Sequence, residues 1–386
     1  MELYEFVFAA VILARFLVPL LIPVYPIPGI LASLLLDASD RAIYAQFVEI
    51  DVEAYQAYDK ALDIYYLTLA YVATLRNWGH STALRLARAL WYYRLVGVAL
   101  FELTGIRWIL LVFPNVFEYF FIAFEVVRAR WNPSRLQTRH LVIMAAVIWV
   151  FIKVPQEYWV HVAQQDTTDF IKVHLVGAPL EMPWVQVPFA YPWVLGAGLG
   201  LIVLLVLATR LVIRLLPASD RPLAFHADAW EGTPEGTALV GRPRGTARPS
   251  RIILLERIAL VSLVAIIFGE VLPGWTASPL QVFTAVSVVI VLNAGVSMWL
   301  GRRGVEWKGA ATEFLIMGAV NVGLVTAYGM ASRRLDLEFD VGSALFFMGI
   351  LTLIVTLHDR YLSLRRLRSA ERSRPNELRP GAEGPG

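Results

Sequence analysis

The sequence predicts an all-α fold, a polytopic integral membrane protein built as a bundle of about eleven transmembrane helices. Hydrophobic residues make up 58% of the 386 residues and charged residues only 17%, whereas about a quarter of the residues in a soluble domain are charged. The apolar runs have the length of membrane-spanning helices and lack the ten-residue alternation of a barrel strand, which favours helices.

Each predicted helix is an apolar window of about 20 residues, long enough to cross about 30 Å of hydrocarbon. Six windows precede residue 165 and five follow it. They cover residues 5–25, 28–47, 56–75, 85–104, 108–129, 140–160, 192–216, 252–272, 278–300, 310–331 and 341–358. Charged residues inside the windows concentrate in the first six, so residues 1–165 are the predicted functional module.

Composition divides the remainder of the chain. Residues 166–191 place Thr and Asp before a short apolar run, which predicts an extracytoplasmic loop with a short amphipathic helix. A transmembrane helix is predicted over 192–217, and a flexible polar cytoplasmic linker, rich in Pro, Gly and charge, over 218–250. A four-helix membrane module (251–358) and a basic cytoplasmic tail (359–386) follow.

The distribution of Lys and Arg predicts the orientation. Most of these 34 residues share one side of the membrane if the N-terminus lies outside and the C-terminus lies in the cytoplasm. We expect a bacterial plasma membrane, with lipid or a lipid-linked substrate as partner and no nucleic acid, because the basic tail suits anionic lipid. The chain has no cysteine, so a metal would need oxygen or imidazole ligands.

Four carboxylates in the second and third windows are the candidate metal ligands. Asp37 and Asp40 lie three residues apart, and Asp59 and Asp63 lie four apart, so each pair shares one helix face. The short connection between the windows predicts an antiparallel hairpin that brings the pairs together. Four carboxylates in a low dielectric stay ionised only around a metal or matched cations. Oxygen ligands suit Mg²⁺ or Mn²⁺.

The spacing of these carboxylates resembles the signature of the CDP-alcohol phosphotransferases, D-x-x-D-G-x-x-A-R followed after eight or nine residues by G-x-x-x-D-x-x-x-D. The resemblance covers residues 37–63. It implies that Asp37, Asp40 and Asp59 hold divalent metal. It also implies that Asp63 completes the metal site or acts as a base toward an acceptor hydroxyl.

This sequence departs from the signature at four positions. Arg41 and Tyr55 replace the two glycines, and Tyr44 and Ala45 replace the Ala-Arg pair. We therefore expect a phosphate-containing or polyprenyl-type lipid substrate without the nucleotide. Arg41 is predicted to provide a fixed cation for a substrate phosphate or a neighbouring carboxylate. Arg41 and Asp63 are the two candidate catalytic residues.

Two other interpretations of the carboxylates stay open. They could form a proton or cation relay in a transporter, for which chains of Asp and Glu are common devices. They could also be interhelical ion pairs that fix packing, with Arg41, Lys60 and Arg94 as the counter-ions. Outside this group, Glu118 and Glu125 share a face two turns apart, and Glu157 and His161 are four residues apart.

Overall fold

A computed structural model describes residues 3–47, 52–165, 167–220, 222–229, 251–271, 315–323, 326 and 348–362. Every regular element in these residues is helical, which confirms the all-α prediction for them. The helices are α1 (Leu3–Leu17), α2 (Pro26–Phe47), α3 (Val52–Asn77), α4 (Ser81–Thr104), α5 (Trp108–Val112), α6 (Val116–Arg130), α7 (Thr138–Val162), α8 (Thr167–Phe170), α9 (Val187–Ala190), α10 (Trp193–Leu215) and α11 (Arg251–Val271). Residues 315–323 and 348–362 are also helical.

Three helical stretches in the described residues are long and apolar enough to cross a membrane. They are Trp108–Arg130, Thr138–Val162 and Trp193–Leu211. These helices are compatible with membrane insertion, but the predicted total of about eleven transmembrane helices is not confirmed. The helices α2, α3 and α4 are 22, 26 and 24 residues long, but each carries several charged residues. The window 278–300 lies outside the described residues.

The centre of the bundle is α3. Every side chain from Ile64 to Leu75 is buried, and α1, α2, α4, α6 and α11 all pack against this helix. The ring centre of Tyr71, on this helix, lies 6.2 Å from the ring centre of Trp91 and 6.4 Å from that of Phe117. A helix that is apolar around its whole circumference is expected to lie inside a bundle.

Prolines break two of the predicted helices. The window 5–25 consists of α1, a 3₁₀ turn over Val18–Leu21 that contains Pro19, and a short turn before α2. The window 108–129 is divided into α5 and α6 beside Pro114. Proline has no backbone N–H to donate and its ring collides with the carbonyl one turn earlier, so an α-helix does not continue through it without distortion.

The long helix α7 contains two π-helical segments. They cover Ile148–Lys153 and Tyr158–Val162, and Pro155 lies in the short α-helical piece between them. The wider π turn accommodates the missing hydrogen bond at a proline. Such segments are rare and occur preferentially at functional sites.

Helix α11, from the second half of the chain, packs against α3 and α4. Its Glu256 accepts a hydrogen bond from the Tyr71 hydroxyl at 2.7 Å and pairs with Arg88 Nε at 3.2 Å. The next residue, Arg257, pairs with Asp359 at 2.7 Å. The second half therefore contributes directly to the packing of the first 165 residues.

We call one end of the bundle the Arg76 end and the opposite end the His161 end. At the Arg76 end, the Ala227 N–H donates to the Val24 carbonyl at 2.8 Å, Arg128 donates to the Ala227 carbonyl at 3.0 Å, and Arg76 pairs with Asp228 at 2.5 Å. The described residues of the 218–250 segment thus lie against this end. The far end of α7 defines the opposite His161 end.

Between α7 and α10 the chain forms two short helices. Within 166–191, where the sequence predicts a short amphipathic helix, the chain forms α8, and a π-helical turn continues it to Val176. Lys172 of that turn donates to the Leu180 carbonyl at 3.1 Å. Helix α10 lies within residues 192–217, where the sequence predicts a transmembrane helix, and its stretch Trp193–Leu211 is long and apolar enough to cross a membrane.

Candidate functional site

The four predicted aspartates lie together around a guanidinium group from α1. Arg15 Nη2 donates to Asp37 Oδ1 at 2.5 Å and to Asp63 Oδ1 at 2.6 Å. Its Nη1 donates to Asp59 Oδ1 at 2.6 Å and to Asp40 Oδ2. We call Arg15 and these four aspartates the acid cluster.

Three consecutive helices place the acid cluster. Asp37 and Asp40 share one face of α2, and Asp59 and Asp63 share one face of α3, because residues three and four apart are neighbours on a helix surface. Helices α2 and α3 pack against each other and α1 packs against both. Arg15 can therefore reach both carboxylate pairs at once.

The acid cluster has more negative than positive charge. Among the side chains that the structure describes, Arg15 is the cation shared by all four carboxylates, so full ionisation gives a net charge of −3. The side chains of Arg15 and Asp40 are 4% and 1% exposed, where like charges repel strongly. Asp40 is held by a further interaction as well. Additional positive charge, from protons or a metal ion, would relieve this repulsion.

Three of the carboxylates could hold a metal ion. Asp37, Asp59 and Asp63 each offer a ligand oxygen, and these oxygens lie within 4.8 Å of one another. Two oxygens on one six-coordinate Mg²⁺ lie about 3–4 Å apart, so small side-chain movements would close the site. Arg15 contacts one oxygen of each carboxylate. The predicted fourth ligand, Asp40, does not belong to this group; it is nearly fully buried beside Arg15.

The cations that the sequence placed beside the aspartates have other positions. Lys60 pairs with Glu102 of α4 at 3.2 Å and lies 5.4 Å from the ring centre of Phe101. The side chain of Arg41 lies outside the described residues, so its predicted role stays a prediction. Sequence reasoning missed Arg15, although it is the only charged residue between Glu5 and Asp37. A lone cation in such an apolar run needs a buried partner.

A second set of charged and polar groups, most of them buried, joins α3, α4, α6 and α7. We call it the Glu118 network. Its members are Tyr66, Arg94, Asn115, Glu118, Lys153, Glu157 and His161. All but Tyr66 and Asn115 carry or can acquire charge.

Contacts link the Glu118 network into one unit. Glu118 accepts hydrogen bonds from the Tyr66 hydroxyl at 3.1 Å and from the Asn115 side-chain amide at 2.7 Å, and it pairs with Lys153 at 3.3 Å. Glu157 accepts a hydrogen bond from the Asn115 backbone N–H at 2.9 Å and lies 3.0 Å from His161 Nε2.

The charges of the Glu118 network balance. Arg94, 3.6 Å from Glu157, and Lys153 match the two glutamates when His161 is neutral. Arg94 therefore does not join the acid cluster. On α6 the other buried glutamate, Glu125, belongs to neither group; it accepts from Trp78 Nε1 at 2.7 Å and pairs with Arg128 at 2.9 Å.

Comparison of the chain with protein families, with curated proteins and with solved structures gave no match.

Proposed function

We propose that the acid cluster is the centre of a membrane-embedded enzyme that transfers a phosphate-containing head group on a lipid or lipid-linked substrate. The observation that carries the proposal is the meeting of Asp37, Asp59 and Asp63 within 4.8 Å, in a cluster whose described side chains carry four carboxylates and one shared cation. Ion pairs that serve packing alone are expected to balance. Crowded carboxylates that solvent can still reach repel one another until a cation or protons neutralise them.

The residues of the acid cluster divide into metal ligands and residues that hold them in place. Asp37, Asp59 and Asp63 bind Mg²⁺ or Mn²⁺, which would polarise a phosphate oxygen as a Lewis acid. Arg15 fixes the positions of the carboxylates, and Asp40 holds Arg15. Asp63, the most exposed of the four at 38%, is also placed to accept a proton from an acceptor hydroxyl.

Cations near the site would bind the phosphate group. Lys60 is 42% exposed and adjoins Asp59 on α3, so it can turn from Glu102 toward a substrate. Arg41 follows Asp40 directly in α2 and is the second proposed phosphate ligand. The resemblance to the CDP-alcohol phosphotransferase signature is limited to the spacing of the carboxylates. The residues that replace its two glycines favour a substrate without the nucleotide.

The apolar helices support a substrate with a lipid part. The two membrane-length stretches Trp108–Arg130 and Thr138–Val162 belong to the same bundle as α2 and α3, which would set the acid cluster beside the hydrocarbon region.

We propose that the Arg76 end faces the cytoplasm, because Arg76, Arg128 and Arg135 collect there. In intact cells a single cysteine at Gln165 should then react with an impermeant maleimide, and one at Ser134 should react only after permeabilisation; the reverse pattern would refute this orientation.

Binding of Mn²⁺ tests the metal site directly. Purified protein should bind Mn²⁺, followed by electron paramagnetic resonance, and Asp59→Asn and Asp63→Asn should weaken binding by about tenfold or more, since metal sites lose affinity when a ligand is removed. Glu125→Gln is the matched control, because it removes an equally buried carboxylate outside the cluster.

Transfer activity tests the reaction. A radiolabelled phospholipid or polyprenyl phosphate presented in mixed micelles with acceptor alcohols should be converted with Mn²⁺ or Mg²⁺ and left unchanged with EDTA. Unaltered Mn²⁺ binding in both aspartate variants would refute the metal site. Loss of the folded protein in all four aspartate-to-asparagine variants would instead assign the cluster to packing.

A further inference from the structure

We propose that Tyr65 of α3 is a positioning residue for the acid cluster, and that it acts on Arg15 through the neighbouring residue Phe16. The coupling between Tyr65 and Arg15 does not require a metal ion. The effect of Tyr65 on metal affinity rests on the proposed function, so the two are tested by separate measurements.

Tyr65 contacts Phe16 in two ways, through the backbone and through the side chain. Its hydroxyl donates a hydrogen bond to the Phe16 carbonyl at 3.0 Å. Its ring stacks on the Phe16 ring, with the ring centres 5.3 Å apart and the ring planes 9° apart. Because one contact holds the backbone and the other holds the side chain, the last turn of α1 can neither rotate nor slide freely against α3.

The Phe16 carbonyl needs a partner because α1 ends next to a proline. Pro19 has no backbone N–H to donate to the Arg15 carbonyl four residues earlier, and a 3₁₀ turn over Val18–Leu21 follows the helix. The last four carbonyls of an α-helix lack the regular partner within it. Phe16 is one of these four residues, and the Tyr65 hydroxyl supplies a donor in the turn that carries Arg15.

The position of this turn sets the direction of the Arg15 side chain. Successive residues of an α-helix point about 100° apart around its axis, so a turn whose Phe16 ring is held on Tyr65 presents Arg15 in one direction. In this direction Arg15 is buried, and its guanidinium nitrogens lie between 2.5 and 2.6 Å from Asp37, Asp59 and Asp63.

The hydroxyl of Tyr65 is the feature that shape alone does not explain. Tyr65 is 0% exposed, and a phenylalanine would fill nearly the same space and keep the stacking on Phe16. A buried hydroxyl is costly unless it is hydrogen-bonded. Its bond to the Phe16 carbonyl therefore specifies where the end of α1 lies.

The position of Arg15 determines which carboxylate oxygens are free for another cation. The guanidinium contacts one oxygen each of Asp37, Asp59 and Asp63, which leaves the second oxygen of each carboxylate. A guanidinium that can shift would pair with both oxygens of a single carboxylate, the geometry that arginine favours. Such a pair would remove one ligand from the three that lie within 4.8 Å of one another.

Tyr65→Phe tests this role, since it keeps the ring and removes the hydroxyl. Its Mn²⁺ affinity, measured by electron paramagnetic resonance, should be about three- to tenfold weaker than that of the wild type, as expected for a residue behind the ligands. In Arg15→Gln, the same change should alter Mn²⁺ affinity by less than about twofold, because a residue that acts through Arg15 has no effect without it.

Tyr71→Phe is the matched control. Tyr71 lies on the same helix and is also 0% exposed, but its hydroxyl donates to Glu256 at 2.7 Å, outside the acid cluster. Loss of a buried hydrogen bond should lower the Tm of both variants, whereas the Mn²⁺ affinity of Tyr71→Phe should stay within about twofold of the wild type. Equal Mn²⁺ affinities of Tyr65→Phe and the wild type would overturn the proposed role of Tyr65.

Thermal unfolding in EDTA separates this inference from the proposed metal site. The Tm shift caused by Tyr65→Phe should be at least about twofold smaller in Arg15→Gln than in the wild-type background, whether or not the wild type binds Mn²⁺. Equal shifts in the two backgrounds would overturn the coupling between Tyr65 and Arg15. Unequal shifts in a protein that does not bind Mn²⁺ would support this coupling and refute only the metal site.

Discussion

The two charged groups inside this bundle differ in how their charges are matched. In the acid cluster one guanidinium serves four carboxylates. In the Glu118 network two cations serve two carboxylates, and hydrogen bonds from Asn115 and Tyr66 complete the shell of Glu118. The two groups also differ in exposure: Lys153 and Glu118 are 4% and 6% exposed, whereas Asp37, Asp59 and Asp63 are between 27% and 38% exposed.

The comparison distinguishes groups whose charges are matched within the protein from groups that need a metal ion or protons to reduce their charge. A buried ion pair that is matched and hydrogen-bonded can persist without any further ligand. Four carboxylates around one cation remain mutually repulsive, and binding of a metal or protons lowers their free energy. The sum of charge in a buried group is therefore a better indicator of a binding site than the number of carboxylates in it.

The largest effect is expected from Arg15→Gln. This change removes the shared cation and leaves four carboxylates to repel one another, so the free energy of unfolding in EDTA should fall by more than about 4 kcal/mol. Mn²⁺ should restore part of it, because a ligand of the folded state stabilises that state. Unfolding in detergent with and without Mn²⁺ measures both effects.

Arg135→Gln is the control for this experiment. It also removes an arginine paired with a carboxylate, Asp220, but the Arg135 side chain is 74% exposed and the expected loss is at most about 1 kcal/mol. Equal losses for the two variants in EDTA would remove the basis for calling the acid cluster unbalanced.

An intermediate effect is expected from Lys153→Met. It leaves Glu118 buried without its cation, at an expected cost of about 3 kcal/mol. Adding Glu118→Gln removes the isolated charge and should recover about half of this loss or more, so the two changes are strongly non-additive. Chemical unfolding of both single variants and the double variant measures the coupling. A double variant that is less stable than Lys153→Met contradicts the balanced network.

The smallest effect is expected from Asp37→Asn. Loss of one hydrogen bond to Arg15 is offset by relief of repulsion among the carboxylates, so stability in EDTA should change by no more than about 1 kcal/mol. Thermal unfolding on the same preparations measures it. A loss as large as that of Lys153→Met would show that the acid cluster acts as a packing element.

The carboxylates could be predicted from the sequence because their positions depend on local geometry. Spacings of three and four residues fix Asp37 with Asp40 and Asp59 with Asp63 on helix faces, and a short connection brings the two faces together. The prolines that divide the first and fifth windows are also visible in the sequence, although their effect on the number of long helices is not.

The counter-ions could not be predicted because they depend on how helices are arranged in space. Lys60 adjoins Asp59 in sequence but points to Glu102 on α4. Arg94 binds Glu157, 63 residues later in the chain. For Arg15, isolation in an apolar run indicated a buried partner, but nothing in the sequence identified which carboxylates it would bind.

The closeness of the acid-cluster residues to one another along the chain has a consequence for synthesis. Its residues fall between Arg15 and Asp63, on three helices that leave the ribosome one after another. At about 5–20 residues per second, Asp63 follows Arg15 within about ten seconds. The guanidinium can neutralise part of the carboxylate charge before α4 is complete, which lowers the cost of packing the acidic faces of α2 and α3 together.

Contacts with the second half form much later in synthesis. The hydrogen bond from Tyr71 to Glu256 can form only after a further 185 residues have been synthesised. The nascent protein therefore completes the acid cluster on α1, α2 and α3 before the later helices that pack against α3 have been made. A translation pause after α3 would give this group time to assemble, whereas a pause between α2 and α3 would leave Arg15 without Asp59 and Asp63.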